Sequence, residues 1–143
     1  MIIYTDANAC PVKQEIDTLA SENHLESYFV FTFAHVTNRT YYSTSIVLDT
    51  DAEAVDLYIY NHVKPGDVVV TQDNGLAAMI LQKGAAAVSP RGTVFHYRDI
   101  DMLLLGRFEG IRAKQGKTKI KGPPAISKED RCRFVQALER QLQ

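Results

Sequence analysis

The chain contains no tryptophan, only two cysteines, and no apolar stretch approaching the ~20 residues of a membrane-spanning helix. Cys10 and Cys132 lie far apart and match no metal-ligand spacing, which argues against a disulfide framework or a zinc site. The segment Met1–Asp6 lacks the basic residues that open a signal peptide. We therefore expect a cytoplasmic protein with reduced thiols and no membrane association.

A large net charge is also missing, because 16 basic side chains face 17 acidic ones. No overall electrostatic field predicts nucleic acid or membrane as a partner, so recognition of a charged partner must be local. The length of 143 residues, 45% of them hydrophobic, predicts one domain spanning residues 1–143 with its own core.

Segments typical of strands alternate with segments typical of helices. Short β-branched and aromatic runs predict strands at Ile2–Thr5, Tyr28–Ala34, Ser45–Leu48, Val68–Thr71, Ala86–Ser89 and Val94–His96. Apolar residues at helical spacing predict helices at Pro11–Ala20, Ala52–Val63, Leu76–Lys83 and Ile100–Ile111, and a last helix begun by a Ser127–Asp130 capping box. This alternation predicts a three-layer α/β/α fold with a mostly parallel central sheet.

Two aspartates follow predicted strands and so belong at the edge where such folds bind ligands. Asp6 follows the first strand and Asp73 the Val68–Thr71 strand, whereas Asp67 precedes that strand and belongs at the opposite edge. Two neighbouring carboxylates repel unless a cation or a proton lies between them. The alternative is that each aspartate merely caps a loop or helix through backbone N–H groups.

Further carboxylates lie on the predicted helix before the Val68–Thr71 strand. Glu53 and Asp56 are three residues apart and share one helix face, although acids near a helix start are also common in solvent. Oxygen ligands without a histidine or cysteine cluster favour Mg²⁺ or Mn²⁺ over Zn²⁺.

Cys10 precedes a predicted helix, where the helix dipole can favour a reactive thiolate. No partner cysteine or histidine is placed beside it by the sequence. We therefore favour the interpretation that Cys10 is a small packing residue in the loop after Asp6.

Basic residues accumulate late in the chain, at Arg107, Arg112, Lys114, Lys117, Lys119 and Lys121. Such a segment can neutralise phosphates, or it can be a solvated loop. It gains functional meaning only if it lies above the acidic residues, because a metal-dependent phosphodiester site needs both.

Four segments together resemble the YaiI/YqxD family of bacterial proteins, nearly end to end: Asp6–Lys13, Ala54–Asp56, Gly66–Asp73 and Lys121–Pro123. That family resembles the wider PIN-like group, whose better-known relatives are metal-dependent ribonucleases. The resemblance implies a PIN-like sheet with acids gathered around Mg²⁺ or Mn²⁺ at one edge.

By position, the resemblance assigns metal ligands to Asp6, Glu53, Asp56 and Asp73. The family more usually has aspartate at the positions of Asn8 and Glu53. Asn8 offers only an amide oxygen, which would weaken a metal site or show that this position is no ligand. Relatives also often carry an apolar residue and proline where this chain has Asn74 and Gly75.

The favoured hypothesis is a metal-dependent phosphodiesterase, specifically a ribonuclease, with Asp6, Asp56 and Asp73 as catalytic residues. The residues expected to position the loop or contact RNA are Thr71, Gln72, Arg112, Lys114 and Lys117. One alternative is a PIN-like module that binds RNA or protein without cutting. The other is a phosphohydrolase, similar to haloacid-dehalogenase-like proteins, with Asp6 as nucleophile.

Overall fold

The computed structural model describes residues 1–8, 10–36, 39–49, 52–102, 104 and 125–143, without the side chains of residues 52 and 53. Its strands are β1 (Ile2–Asp6), β2 (Glu26–Thr32), β3 (Thr44–Leu48), β4 (Val68–Val70) and β5 (Ala86–Val88). Its helices are α1 (Lys13–Glu22), α2 (Ala52–His62), α3 (Asn74–Gln82) and α4 (Lys128–Gln141), with short 3₁₀ turns at Phe33–His35 and Tyr97–Asp99.

The strands form one sheet in the order β3-β2-β1-β4-β5, and every neighbouring pair among them is parallel. The first strand is central, with Ile3 opposite Ser27 of β2 on one side and Val68 of β4 on the other. Parallel neighbours require crossover connections, which the helices supply. The predicted parallel sheet is confirmed, and all its carboxyl ends meet at one edge.

Alternate residues of each strand pack against different helices, as the period of a strand requires. On one face, Ile3 and Phe29 join the buried side chains of α1 and α4. On the other, Tyr4 and Val30 join those of α2 and α3. Burying each large apolar side chain contributes about 1.5–3 kcal/mol, so both faces hold the sheet between helices. The three-layer α/β/α prediction is confirmed.

The second strand ends two residues earlier than the sequence predicts. A 3₁₀ turn takes over at Phe33, because the side-chain oxygen of Asn8 accepts the N–H of Thr32 at 2.9 Å. A side chain thus replaces the next backbone partner, and β2 leaves the sheet there. The β-branched and aromatic composition of Tyr28–Ala34 does not predict the bond between Thr32 and Asn8.

The predicted Ser127–Asp130 capping box at the start of α4 is confirmed, because each side chain accepts the backbone N–H of the other. The predicted Ile100–Ile111 helix extends beyond the described residues. In the described parts of the chain, no helix combines the length and apolar character needed to cross a bilayer.

A tight turn after β5 brings the chain into contact with α4. Gly92 has a positive φ of 91°, and a Cβ atom added to it would lie 2.7 Å from the carbonyl carbon of Arg133. Beside it, Arg91 pairs with Asp130 at 2.9 Å, and Asp130 also pairs with Arg133. This turn therefore fixes how α4 approaches the sheet.

We expect Gly92→Ala to destabilise the protein more than Gly66→Ala, in urea unfolding followed by circular dichroism. Gly66 has the same φ of 91° but nothing within 4 Å of an added Cβ, so it isolates the backbone penalty of about 1–2 kcal/mol. Gly92→Ala adds a clash with the α4 backbone. Equal losses for the two variants would show that the turn and α4 are not in close contact.

Candidate functional site

The carboxylates of Asp6 and Asp73 come together at the carboxyl ends of β1 and β4. These strands are adjacent, with Thr5 opposite Val70. The hydroxyl of Thr71, a residue only 1% exposed, donates to Asp6 Oδ2 at 3.4 Å and accepts from the backbone N–H of Asp73 at 3.0 Å. One buried hydroxyl therefore links the two acidic residues.

The environment of Asp6 disfavours its negative charge. Burial is the main cause that raises its pKa from 3.8 to about 6, and the charge of Asp73 raises it further. The backbone N–H of Asn8, the Thr71 hydroxyl and the charge of His35 act in the opposite direction. The net effect is an acidic site short of positive charge, which a cation or a proton would stabilise.

Asp73 also caps a helix through backbone N–H groups, which is the alternative role that the sequence left open. Its Oδ1 accepts the backbone N–H groups of Gly75 at 2.8 Å and Leu76 at 3.1 Å, which caps α3. The cap holds this carboxylate at a fixed place beside Asp6. Asp73 therefore both begins a helix and supplies half of the acidic pair.

Asn8 connects the ends of β1 and β2. Its Oδ1 accepts the backbone N–H of Thr32 at 2.9 Å and the Thr32 hydroxyl at 3.3 Å. That hydroxyl also lies 2.9 Å from His35 Nδ1. The amide oxygen is thus engaged by Thr32. Thr32 and His35 were missed by the sequence analysis, because no motif or spacing links either one to Asp6.

Two further ligands, Asp56 and Glu53, are predicted on α2. Asp56 is half-buried on α2, next to Val55, which faces the sheet. Among the residues the structure describes, no three His, Cys, Asp or Glu side chains are grouped so as to hold one metal ion. The side chain of Glu53 lies outside the described residues, so the four-ligand site stays a prediction.

Two other sequence predictions concern Asp67 and the late basic residues. Asp67 lies before β4, at the opposite edge as predicted, where it accepts the backbone N–H groups of Ile2 and Lys64 at 2.9 Å each. The basic residues predicted to contact RNA lie outside the described residues: Arg112, Lys114 and Lys117.

The packing interpretation of Cys10 is confirmed. The residue is 5% exposed within the core on the α1 and α4 face. Burial raises the pKa of its thiol to about 11, so it stays protonated near neutral pH. A thiolate nucleophile at this position is therefore disfavoured.

A cleft of about 280 Å³ opens beside Asp73, between the loops that follow β4 and β5. The residues on either side of Asp73, Gln72 and Asn74, both line it. The remaining lining residues come from the turn after β5 and the segment that returns along that strand: Ser89, Pro90, Arg91, Thr93 and Phe95. The cavity is thus adjacent to Asp73 in the chain, whereas neither carboxylate of the acidic pair is among its described lining residues.

A family model described as "Uncharacterized BCR, YaiI/YqxD family" matches residues 4–143. The chain belongs to the YaiI/YqxD family. Among its relatives is a UPF0178 protein of Halalkalibacterium halodurans, 44% identical, with the match covering 98% of this chain and 89% of that protein. Another, from Listeria monocytogenes, is 39% identical over 99% of this chain and 95% of the relative. No solved structure matches the sequence.

The acidic pair of this YaiI/YqxD protein fits a hard divalent cation. Asp6 and Asp73 offer carboxylate oxygens, the ligands that Mg²⁺ and Mn²⁺ prefer over the nitrogen and sulfur ligands of Zn²⁺. Mg²⁺ is commonly held by one or two carboxylates, with water or phosphate completing its coordination. Such an ion would neutralise the negative charge of Asp6, which the raised pKa of that carboxyl shows to be unfavourable.

We expect Asp6→Asn to stabilise this YaiI/YqxD protein above pH 6 when a chelator is present. The folded state binds the Asp6 proton more tightly than the unfolded chain, since its pKa rises from 3.8 to about 6. Ionisation of Asp6 therefore lowers the free energy of unfolding as pH rises through that window, by about 1–3 kcal/mol. Asparagine does not ionise.

Urea unfolding of both proteins across pH 4 to pH 8 measures this difference. The stability gained by Asp6→Asn should grow from pH 4 through the pKa of about 6 and level off about one pH unit above it. A difference that does not change with pH would contradict the raised pKa.

We expect Asn8→Ala to lower the free energy of unfolding by about 1–3 kcal/mol, because the Thr32 N–H loses its acceptor. Asn8→Asp keeps an oxygen acceptor and should lose less. Denaturant unfolding compares the two variants. Equal losses would show that the bond to Thr32 does not support the fold.

Proposed function

We propose that this protein is a metal-dependent phosphodiesterase that cleaves RNA. The observation that carries the proposal is the pair of carboxylates, Asp6 and Asp73, linked through Thr71 at the carboxyl edge of adjacent strands. Ligand sites of parallel α/β sheets form at this edge. The resemblance to PIN-like ribonucleases suggests phosphodiester hydrolysis as the chemistry.

We propose the following roles for the chain's own residues. The carboxylates of Asp6 and Asp73 would hold a Mg²⁺ or Mn²⁺ ion, with Asp56 and Glu53 as further ligands. A divalent cation there supplies an activated water and stabilises charge on the phosphate. The Thr71 hydroxyl would keep the Asp6 carboxylate oriented, since its donor bond favours the ionised form.

The proposed partner is a single strand of RNA, which brings negative charge toward an acidic pair. Positive charge must therefore lie nearby, and we propose that Arg112, Lys114 and Lys117 supply it. Gln72 borders the same edge and would help to position the strand. The proposal includes a cytoplasmic location, where both cysteines would remain the free thiols seen here.

The engaged side chain of Asn8 bears on the nucleophile alternative. A phosphohydrolase using Asp6 as nucleophile is expected to carry a second acid two residues later, at the place of Asn8. Here that amide oxygen accepts from Thr32 and supports the end of β2. This arrangement favours a structural role for Asn8 over an acid–base role. Asp6 would then act together with Asp73.

We expect the protein to cleave labelled single-stranded RNA in Mn²⁺ and to lose at least a hundredfold in rate in Asp6→Asn and Asp73→Asn. Each change removes one negative charge from the pair that would hold the ion. Asparagine caps helices about as well as aspartate, so Asp73→Asn should keep α3 intact. Gel electrophoresis of the products measures the rate.

Glu26→Gln is the matched control, since it removes an exposed carboxylate from the opposite end of the sheet. It should cleave like the unchanged protein. Calorimetry with Mn²⁺ should show binding that Asp6→Asn abolishes. An inert protein that binds RNA without metal would be a non-catalytic module, and equal cleavage by all variants would refute the proposed site.

A further inference from the structure

The cleft beside Asp73 has a lining unlike that of the acidic pair. Its walls combine the half-buried ring of Phe95 and the ring of Pro90 with the side-chain amides of Gln72 and Asn74. We propose that this cleft binds one nucleobase of a single-stranded nucleic acid. The location of this base next to the phosphate that is cleaved rests on the proposed function, whereas binding of the base does not.

The chemistry of the lining matches a base rather than a phosphate. Aromatic side chains stack on any base, and side-chain amides offer a donor and an acceptor to its hydrogen-bonding edge. The cleft has one charged group among its described lining residues, Arg91, and its guanidinium already pairs with Asp130 at 2.9 Å. A free phosphate would find little uncommitted positive charge.

The size of the cleft points to a single nucleotide unit. Its volume of about 280 Å³ lies just below the usual range of ligand pockets, which span about 300–1,000 Å³. A dinucleotide cofactor would need more room. A base bound there would lie close to Asp73, because Gln72 and Asn74 flank that residue in the chain.

The wall after β5 is held in place before any ligand arrives. Ser89 Oγ accepts the backbone N–H groups of Arg91 at 3.3 Å and Thr93 at 3.1 Å, which closes the turn. The backbone N–H of Phe95 donates to the carbonyl of Ala87 at 3.0 Å, so this residue is anchored along β5. An anchored aromatic wall loses little conformational freedom on binding.

The test measures binding in a chelator, where the proposed cleavage cannot occur. Fluorescence anisotropy would follow a short labelled oligouridylate, compared with an abasic strand of equal length and charge. We expect the abasic strand to bind at least tenfold more weakly. Phe95→Leu keeps an apolar wall but removes the stacking face, and should weaken oligouridylate binding about tenfold. Gln72→Leu should also weaken it.

Tyr97→Leu is the matched control, because this aromatic is 68% exposed, lies two residues beyond Phe95 and is not part of the cleft. It should bind like the unchanged protein. The unchanged protein, labelled with ¹⁵N, gives a second measurement that needs no variant. Oligouridylate, but not the abasic strand, should shift the side-chain amide signals of Gln72 and Asn74.

The outcomes separate this inference from the proposed function. Base-dependent binding that requires Phe95, together with no cleavage in Mn²⁺, would support the cleft and refute the nuclease. Equal binding of the two strands, unshifted amide signals, or no binding in the chelator would overturn the inference, whether or not the protein cleaves RNA.

Discussion

Parallel pairing of β1 with β4 is the constraint on which the rest of the structure depends. It sets Thr5 opposite Val70, so Asp6, the last residue of β1, and Thr71, the residue after β4, lie side by side at the carboxyl edge of the sheet. The Thr71 hydroxyl then joins Asp6 to the backbone of Asp73. A sheet with these strands antiparallel would send the two acids to opposite edges. The acidic pair is thus a direct consequence of strand direction.

The same edge combines groups that stabilise the fold with groups available for chemistry. Asp73 caps α3 and Asn8 supports the end of β2, yet the charge of Asp73 and the backbone N–H of Asn8 both act on the half-buried carboxylate of Asp6. These structural bonds hold the loops rigid, and burial keeps the Asp6 charge unfavourable until a partner is present. Such a preorganised, destabilised charge is common where proteins bind ions or substrates.

Sequence patterns predicted most of the strands and helices, although the strand predicted at Val94–His96 is only an isolated bridge between Val94 and Val88. The valine run of β4 and the Ser127–Asp130 capping box were both recognised, because each depends on residues close together in the chain. The end of β2 was predicted too late, since it depends on Asn8, 24 residues away from Thr32. The effect of the His35 charge on the pKa of Asp6 could not be predicted from the sequence for the same reason.

The sequence alone determined the alternation of strands and helices, and hence a parallel sheet with Asp6 and Asp73 at one edge and Asp67 at the other. Only the tertiary structure decided how close the acids lie, that the Asn8 oxygen serves Thr32, and that the loops after β4 and β5 enclose a cleft. Periodicity depends on local backbone geometry, which the sequence encodes directly. Distances between strand ends depend on register and packing, which arise only when the whole sheet assembles.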